Sequence, residues 1–236
     1  MADAGVSGAR PGRSPLTLAI LTAMGVALIA AFLSLGVWQL QRRSWKLNLI
    51  ATVDARLHAP PVAAPPTADQ SDAYTRVTIE GRFRNDRETF VQAVTERGPG
   101  FWVLTPLIAP RFTVLVNRGF VPAEKRTDHS RPDGPVRVTG LVRSTEPGGA
   151  FLRSNDPVAD RWYSRDVAAI AEAKRLSPVA PYFIDADATP NPGGYPVGGL
   201  TIVAFRNSHL SYALTWFALA MLTLVGIVIL WRRGRE

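Results

Sequence analysis

Two long apolar runs frame a central stretch in which polar and apolar residues alternate. The first run covers residues 15–41 and the second covers residues 207–231, and neither contains Asp, Glu, Lys or Arg. A bilayer core of about 30 Å needs about 20 helical residues, so each run is long enough to span it. A cleavable signal peptide has an apolar core of only about 7–15 residues, so the first run is better explained as a spanning helix.

Residues 42–58 continue in a helical pattern, with a large apolar side chain at every fourth position. These side chains are Trp45, Leu49, Val53 and Leu57. The spacing predicts an amphipathic helix that lies near the membrane surface. Prolines end this pattern, and residues 59–72 are therefore expected to be a linker.

Small side chains recur every four residues along the first apolar run. Ala23, Ala27 and Ala31 form this stripe, and Trp38 continues it at the far end. Small residues let membrane helices approach each other closely. We therefore expect this face to pack against the second helix.

Residues 73–206 change to short alternating stretches that are typical of half-buried β-strands. Strands are predicted at residues 74–84, 88–96, 101–109, 112–121, 136–145, 182–186 and 200–205. Short turns between the earlier strands favour antiparallel pairing, and Asp166 is expected to cap a helix that runs to Leu176. The predicted fold class is two transmembrane helices flanking an α+β, mainly antiparallel-sheet domain. The sequence leaves open whether the sheet closes into a barrel.

The distribution of charge supports a membrane location. The formal net charge is +8, yet residues 58–204 hold 17 Lys and Arg against 16 Asp and Glu. The other positive charges flank the apolar runs, which is typical of membrane segments and not of a nucleic-acid interface.

The basic residues also predict an orientation. Three arginines within residues 232–236 follow the second run and one precedes it, so this tail is expected to be cytoplasmic. Two crossings place residues 1–14, expected to be a disordered tail, on the same side. Residues 73–206 would then face the periplasm of a bacterial inner membrane.

Little in the central domain points to catalysis. Cysteine is absent, which excludes disulfides and thiolate metal sites. Asp128, His129 and Ser130 have the residue types of a hydrolase triad, but three adjacent residues cannot form its geometry. Arg118 and the Arg161–Arg165 segment are candidates for binding carboxylates, or for ordinary ion pairs within the domain. No enzymatic activity is expected.

One ionisable residue, His209, stands near the start of the second apolar run. On a helix, Ala213, Trp216 and Ala220 share its face and Tyr212 flanks it. The positive end of the helix dipole disfavours imidazolium, and neutral imidazole is the form that binds a metal. His209 is therefore a candidate ligand. Alternatively, it is one of the amphipathic side chains that are common at the lipid–water interface.

Several motifs, taken together, resemble those of a known family. They are LGVWQLQRRSWKLNLI (35–50), GFWVLTPL (100–107), VLVNRGFVP (114–122), the FLRSNDP…RWYSRD run (151–166) and HLSYALTWFALA (209–220). They are similar to motifs of the Surfeit-locus-one (Shy1-like) cytochrome c oxidase assembly proteins, and the similarity covers residues 16 to 233. The motifs are collinear and separately placed, so the resemblance is specific.

The resemblance implies an assembly factor that binds haem a and aids its insertion into the catalytic, haem-bearing subunit of the oxidase. His209 is the residue that it links to the haem iron. It also implies, more weakly, that Tyr212, Trp216, Trp38 and Gln39 contact the cofactor.

The haem is expected to lie against Ala213 and Ala220, with its propionates near Arg206 and either Arg42 or Arg43. The implied partners are the haem-bearing subunit, haem A synthase and the membrane. The alternative is a membrane scaffold that holds an assembly intermediate without binding cofactor. Haem in the purified protein would separate the two.

Overall fold

The computed structural model describes residues 14–150 and 153–233. These residues form two compact units: a helical unit within residues 14–50 and 205–233, and a barrel unit within residues 51–204. The predicted tails at residues 1–14 and 232–236 lie largely outside the described residues.

The described residues form three α-helices and nine strands. The helices are α1 (Pro15–His58), α2 (Val167–Ala173) and α3 (His209–Arg233). The strands are β1 (Val62–Ala63), β2 (Arg76–Phe83), β3 (Thr89–Thr95), β4 (Gly98–Ile108), β5 (Thr113–Pro122), β6 (Pro135–Ser144), β7 (Gly149–Ala150), β8 (Arg153–Ser154) and β9 (Val179–Ala186).

Helices α1 and α3 are each long and apolar enough to cross a membrane. They flank the sheet-rich domain in sequence, as the alternation of apolar and polar stretches predicts. Helix α1 is continuous over 44 residues, so the amphipathic stretch after the apolar run extends the same helix.

The two long helices pack antiparallel along a seam. From one end of the seam to the other, Gln39 contacts His209, Gly36 contacts Phe217, Phe32 contacts Trp216, Gly25 contacts Ile227 and Thr22 contacts Trp231. On α1 these positions fall on steps of three, four and seven residues, the repeat by which two α-helices keep one face in contact. The seam therefore runs along most of α3.

The seam lies on a different face of α1 from the one predicted. Ala23, Ala27 and Ala31 are exposed, and Trp38 is 52% exposed, so the prediction that this stripe faces the second helix is wrong. Close approach is provided instead by two glycines. A Cβ atom at Gly25 would lie 2.6 Å from Ile227 Cδ1, and one at Gly36 would overlap the Phe217 ring. A four-residue stripe drifts around the helix, whereas the three–four repeat does not.

The barrel unit contains a closed ring of five strands. The ring runs β2–β6–β9–β5–β4 and closes where Arg82 and Phe83 pair with Ile108 and Leu107. All neighbours in the ring are antiparallel except β5 and β9, which are parallel. β1 and β3 add to the ring at its edges, and β7 and β8 form a separate hairpin. This arrangement confirms the predicted fold class and decides that the sheet closes.

Two apolar clusters hold the barrel unit together. The first fills the ring with buried side chains, among them Val77, Leu107, Val114, Val116, Tyr182 and Ile184. The second lies between the sheet and α2 and includes Trp162, Ile170 and Phe183. Asp166 caps α2 as predicted, because its carboxylate accepts a hydrogen bond of 3.1 Å from the backbone N–H of Ala169.

One predicted strand is absent. Residues 200–205 have no strand pairing, although their apolar pattern resembles that of a strand. The chain touches the sheet just before them, where Val197 forms an isolated bridge to Phe120. Gly199 then adopts a positive φ of 72°, which turns the chain away from the ladder. Periodicity alone could not show that no neighbouring strand is present.

Candidate functional site

His209 is the first residue of α3, and its side chain reaches across the seam to α1. Its Nδ1 atom lies 2.8 Å from Oε1 of Gln39, and Gln39 is only 9% exposed. The amide oxygen of Gln39 faces the ring, and since an amide oxygen can only accept a hydrogen bond, this orientation assigns the proton to Nδ1. In the neutral ring, Nε2 then has a free lone pair, and it has no hydrogen-bond partner among the described residues.

The other predicted site residues divide between the seam and the outer faces. Trp216 lies in the seam, where it stacks on Phe32 with ring centroids 5.8 Å apart. Its Nε1–H is buried and has no acceptor within residues 14–150 and 153–233. Tyr212 and Trp38 lie on outer faces and are each more than half exposed. The structure therefore places His209 and Trp216 on one face, with Gln39 opposite His209.

The two alanines on this face are already covered. Ala213 and Ala220 are almost completely buried in the seam, where Phe32 and Gly36 of α1 contact α3. A haem could not lie against these alanines unless the helices separated, so that part of the prediction is corrected. The periodicity of α3 alone does not show that α1 occupies the groove predicted for the haem.

Positive side chains flank the apolar parts of both helices. Arg42 places its guanidinium 4.3 Å above the centre of the Trp45 ring. Within the described part of the chain, Arg42, Arg43 and Arg206 form no ion pair with a carboxylate. No carboxylate of the described residues therefore competes with an anion from outside the chain for these three guanidinium groups.

The candidate arginines of the barrel unit, by contrast, bind carboxylates of the chain itself. Arg118 is buried and lies 3.2 Å from the equally buried Glu88. Arg131 and His129 also contact Glu88, at 2.8 Å and 3.3 Å. Burial lowers the pKa of the Arg118 guanidinium, and the charge of Glu88 opposes that change. This cluster is a buried ion network, so Arg118 is not free to bind a carboxylate from outside.

A second network centres on Asp185, which the sequence argument did not single out. Its carboxylate accepts hydrogen bonds from Asn117 at 2.7 Å, Arg143 at 2.8 Å, Thr201 at 2.8 Å and Arg165 at 3.4 Å. A cavity of about 190 Å³ opens beside this cluster, which is below the roughly 300–1,000 Å³ of typical ligand pockets. The network joins strands β5, β6 and β9 to the segment that follows the barrel.

Two further carboxylates, those of Glu146 and Asp156, pair with Arg165 and Arg161. Arg165 also binds Glu146, with Nε 3.0 Å from Oε2. Burial by itself would raise the pKa of Glu146, but the hydrogen bonds and charge of Arg165 hold it below its usual value. Arg161 pairs with Asp156 at 2.6 Å on the surface. The interpretation of these arginines as internal ion pairs therefore fits the structure.

Sequence reasoning could have found one residue more directly. Gln39 is a polar side chain within an apolar run, and polar residues at membrane depth usually have a bonding partner or a function. Glu88 and Asp185 gave no comparable signal, because carboxylates are common at strand ends. No group of three or more His, Asp or Glu side chains in residues 14–150 and 153–233 could hold a metal ion. A haem differs from such a centre, since it requires only an axial ligand from the protein.

Comparison with known proteins finds a family and several relatives. The sequence pattern of the SURF1 family matches residues 26–221. "Surfeit locus protein 1" of Homo sapiens is 36% identical over 219 residues, which cover 83% of this chain and 72% of that protein. "SURF1-like protein" of Monosiga brevicollis is 39% identical over 221 residues, covering 85% and 83%. "Surfeit locus protein 1" of Xenopus tropicalis is 35% identical, covering 83% and 70%.

Proposed function

Because the chain belongs to the SURF1 family, which is known for cytochrome oxidase assembly, we propose that it is an assembly factor for haem–copper cytochrome c oxidase. In this proposal it binds haem a and aids its insertion into the catalytic subunit. No bond within the haem is made or broken, so the haem is cargo and the protein is not an enzyme. Membership of the family confirms the resemblance seen in the motifs.

The observation that supports the haem proposal most strongly is the hydrogen bonding of the two ring nitrogens of His209. Its Nδ1–H is held by Gln39, and its Nε2 is free of hydrogen bonds within the described residues. A histidine that binds a metal usually donates its other ring N–H to an acceptor in this way. His209 is thus prepared to give its Nε2 lone pair to the haem iron.

Other residues fit the rest of a haem molecule. The Nε1–H of Trp216 is a donor without an acceptor in the described part of the chain, but it is buried in the seam, so an oxygen-containing substituent of haem a could accept from it only if the helices separated. Arg206, Arg42 and Arg43 could pair with the propionates. Tyr212 and Trp38 are exposed aromatic side chains that could cover the ring from outside the seam. These assignments are part of the proposal.

The remaining features are proposed from the charge pattern and the family. The two long helices cross the inner membrane of a bacterium, both termini are cytoplasmic, and the barrel unit is periplasmic. The haem-bearing subunit of the oxidase is the acceptor of the haem, and haem A synthase is its source.

The test is an absorption spectrum of the protein purified in mild detergent from cells that make haem A. The parent is compared with His209→Ala and with His58→Ala, a matched control because the His58 side chain is highly exposed and forms only local contacts. We expect a haem a band in the parent and in His58→Ala, and no band in His209→Ala.

The same preparations separate the proposal from the scaffold alternative. If the oxidase subunit copurifies with the parent and no haem band is present in any variant, the protein is a scaffold. A full haem band in His209→Ala would show that His209 is not the ligand.

A further inference from the structure

The position of Gln39 is unusual for an amide side chain. It lies in the seam of the helical unit, at the end of an apolar run of 27 residues without charged side chains. A buried amide without a hydrogen bond costs free energy, and the cost is greater where water is excluded. Its carbonyl oxygen accepts a hydrogen bond from Nδ1–H of His209. Gln39 and the imidazole of His209 therefore hold each other in position.

This hydrogen bond determines which ring nitrogen of His209 is available. A neutral imidazole carries one proton, on either Nδ1 or Nε2, and only the other nitrogen can bind a metal. The Gln39 oxygen accepts at Nδ1 and so stabilises the tautomer in which Nε2 is free. Without this acceptor, the ring could place its proton on Nε2 and block that nitrogen.

A second hydrogen bond across the seam provides an internal comparison. The indole N–H of Trp231 donates to Thr22 Oγ1 at 2.9 Å, far from His209 along both helices. This bond joins α1 to α3 but involves no group that could bind a metal. If Gln39 only held the helices together, removing either bond would have a similar effect on His209.

We propose that Gln39 is a positioning residue that fixes His209 in its Nδ1–H tautomer and thereby directs Nε2 to the haem iron. The role of Nε2 toward the haem iron rests on the proposed function, whereas the tautomer of His209 does not. The tautomer itself can be measured without haem.

The first experiment is ¹⁵N NMR of the haem-free protein in detergent, labelled at histidine. The chain has only three histidines, and His58→Gln and His129→Gln variants assign the signals of the other two. We expect His209 in the parent to carry its proton on Nδ1. Gln39→Leu should shift His209 toward a mixture of tautomers, whereas Gln39→Glu keeps an acceptor and should retain Nδ1–H.

The second experiment titrates the same proteins with ferric haem a. Loss of a residue that orients a metal ligand typically weakens metal binding about 10–100-fold, and we expect a loss in this range for Gln39→Leu. Gln39→Glu should bind like the parent. Gln41→Leu is the matched control, because Gln41 is an exposed glutamine on the same helix. Thr22→Val tests the effect of losing the other hydrogen bond across the seam.

The outcomes are distinct. An Nε2–H tautomer in the parent would overturn the proposal, and so would equal losses of haem affinity in Gln39→Leu and Thr22→Val. An Nδ1–H tautomer that depends on Gln39, in a parent that takes up no haem, would support the tautomer assignment and contradict only the proposed function.

Discussion

Two buried carboxylates of the barrel unit each have several hydrogen-bond partners, whereas His209 and Trp216 of the helical unit have one or none among the described residues. In the barrel, Glu88 and Asp185 are each surrounded by donors from the chain itself, among them two arginines in each case. In the helical unit, as far as residues 14–150 and 153–233 show, His209 has one hydrogen-bond partner and one ring nitrogen without a partner, and the buried N–H of Trp216 has no acceptor. A network that is complete within the chain stabilises a fold, whereas the second ring nitrogen of His209 can accept a partner from outside the chain.

The largest effect should follow from breaking the complete network at Glu88. Glu88→Ala leaves the buried Arg118 without its carboxylate, and removing one partner of a buried ion pair costs about 3–5 kcal/mol. Chemical denaturation of the full chain, followed by tryptophan fluorescence, measures the change in the free energy of unfolding.

Glu80→Ala is the control for this prediction. Glu80 pairs with Arg137 on the surface, where both side chains are mostly exposed, so its loss should cost only about 0–1 kcal/mol. Equal losses for the two variants would mean that the Glu88 network contributes no more than a surface pair.

A smaller effect is expected from crowding the seam of the helical unit. In Gly36→Val, the new side chain would overlap the Phe217 ring, and overpacking of this kind typically costs about 1–3 kcal/mol. Ala27→Val, on the exposed face of the same helix, should be nearly neutral. Thermal unfolding in detergent, followed by far-ultraviolet circular dichroism, compares them. If Ala27→Val were the more damaging variant, the assignment of the seam would be wrong.

The smallest effect concerns acid. The pKa of Glu146 is held below its usual value by Arg165 in the folded protein, so the unfolded chain binds the proton more readily. The stability from this pair is fully present above the usual pKa of a glutamate and is lost as the pH falls below it. Thermal midpoints between pH 7 and pH 3 should therefore fall less steeply in Glu146→Gln than in the parent. The exposed Glu172, changed to Gln, serves as the control and should leave the slope unchanged.

Patterns along the sequence predicted most of the elements, because each depends on local periodicity. The two long apolar helices, strands β2 to β6, part of β9 and the cap at Asp166 follow from the spacing of apolar side chains and from one capping residue, whereas the short β1 lies in the predicted linker. The parallel pairing of β5 with β9 and the closure of the ring do not, since both depend on contacts between distant parts of the chain.

The candidate site was predictable in part for the same reason. His209, Trp216 and the two alanines share a face because helical geometry requires it. Which face of α1 meets them could not be deduced, because a stripe of alanines and a stripe containing two glycines are both compatible with close packing. In the structure, the seam places Gln39 next to His209 and covers Ala213 and Ala220. The resemblance to the family named Gln39 only as a weak candidate and gave it no partner.

The most direct test of the account is whether the open nitrogen of His209 binds haem iron. Haem-free parent and His209→Gly are titrated with ferric haem a in detergent, with and without added imidazole. We predict that the parent binds haem, that His209→Gly does not, and that free imidazole, which can occupy the space left by the ring, restores binding to the variant. Binding by His209→Gly equal to that of the parent without imidazole would contradict the account.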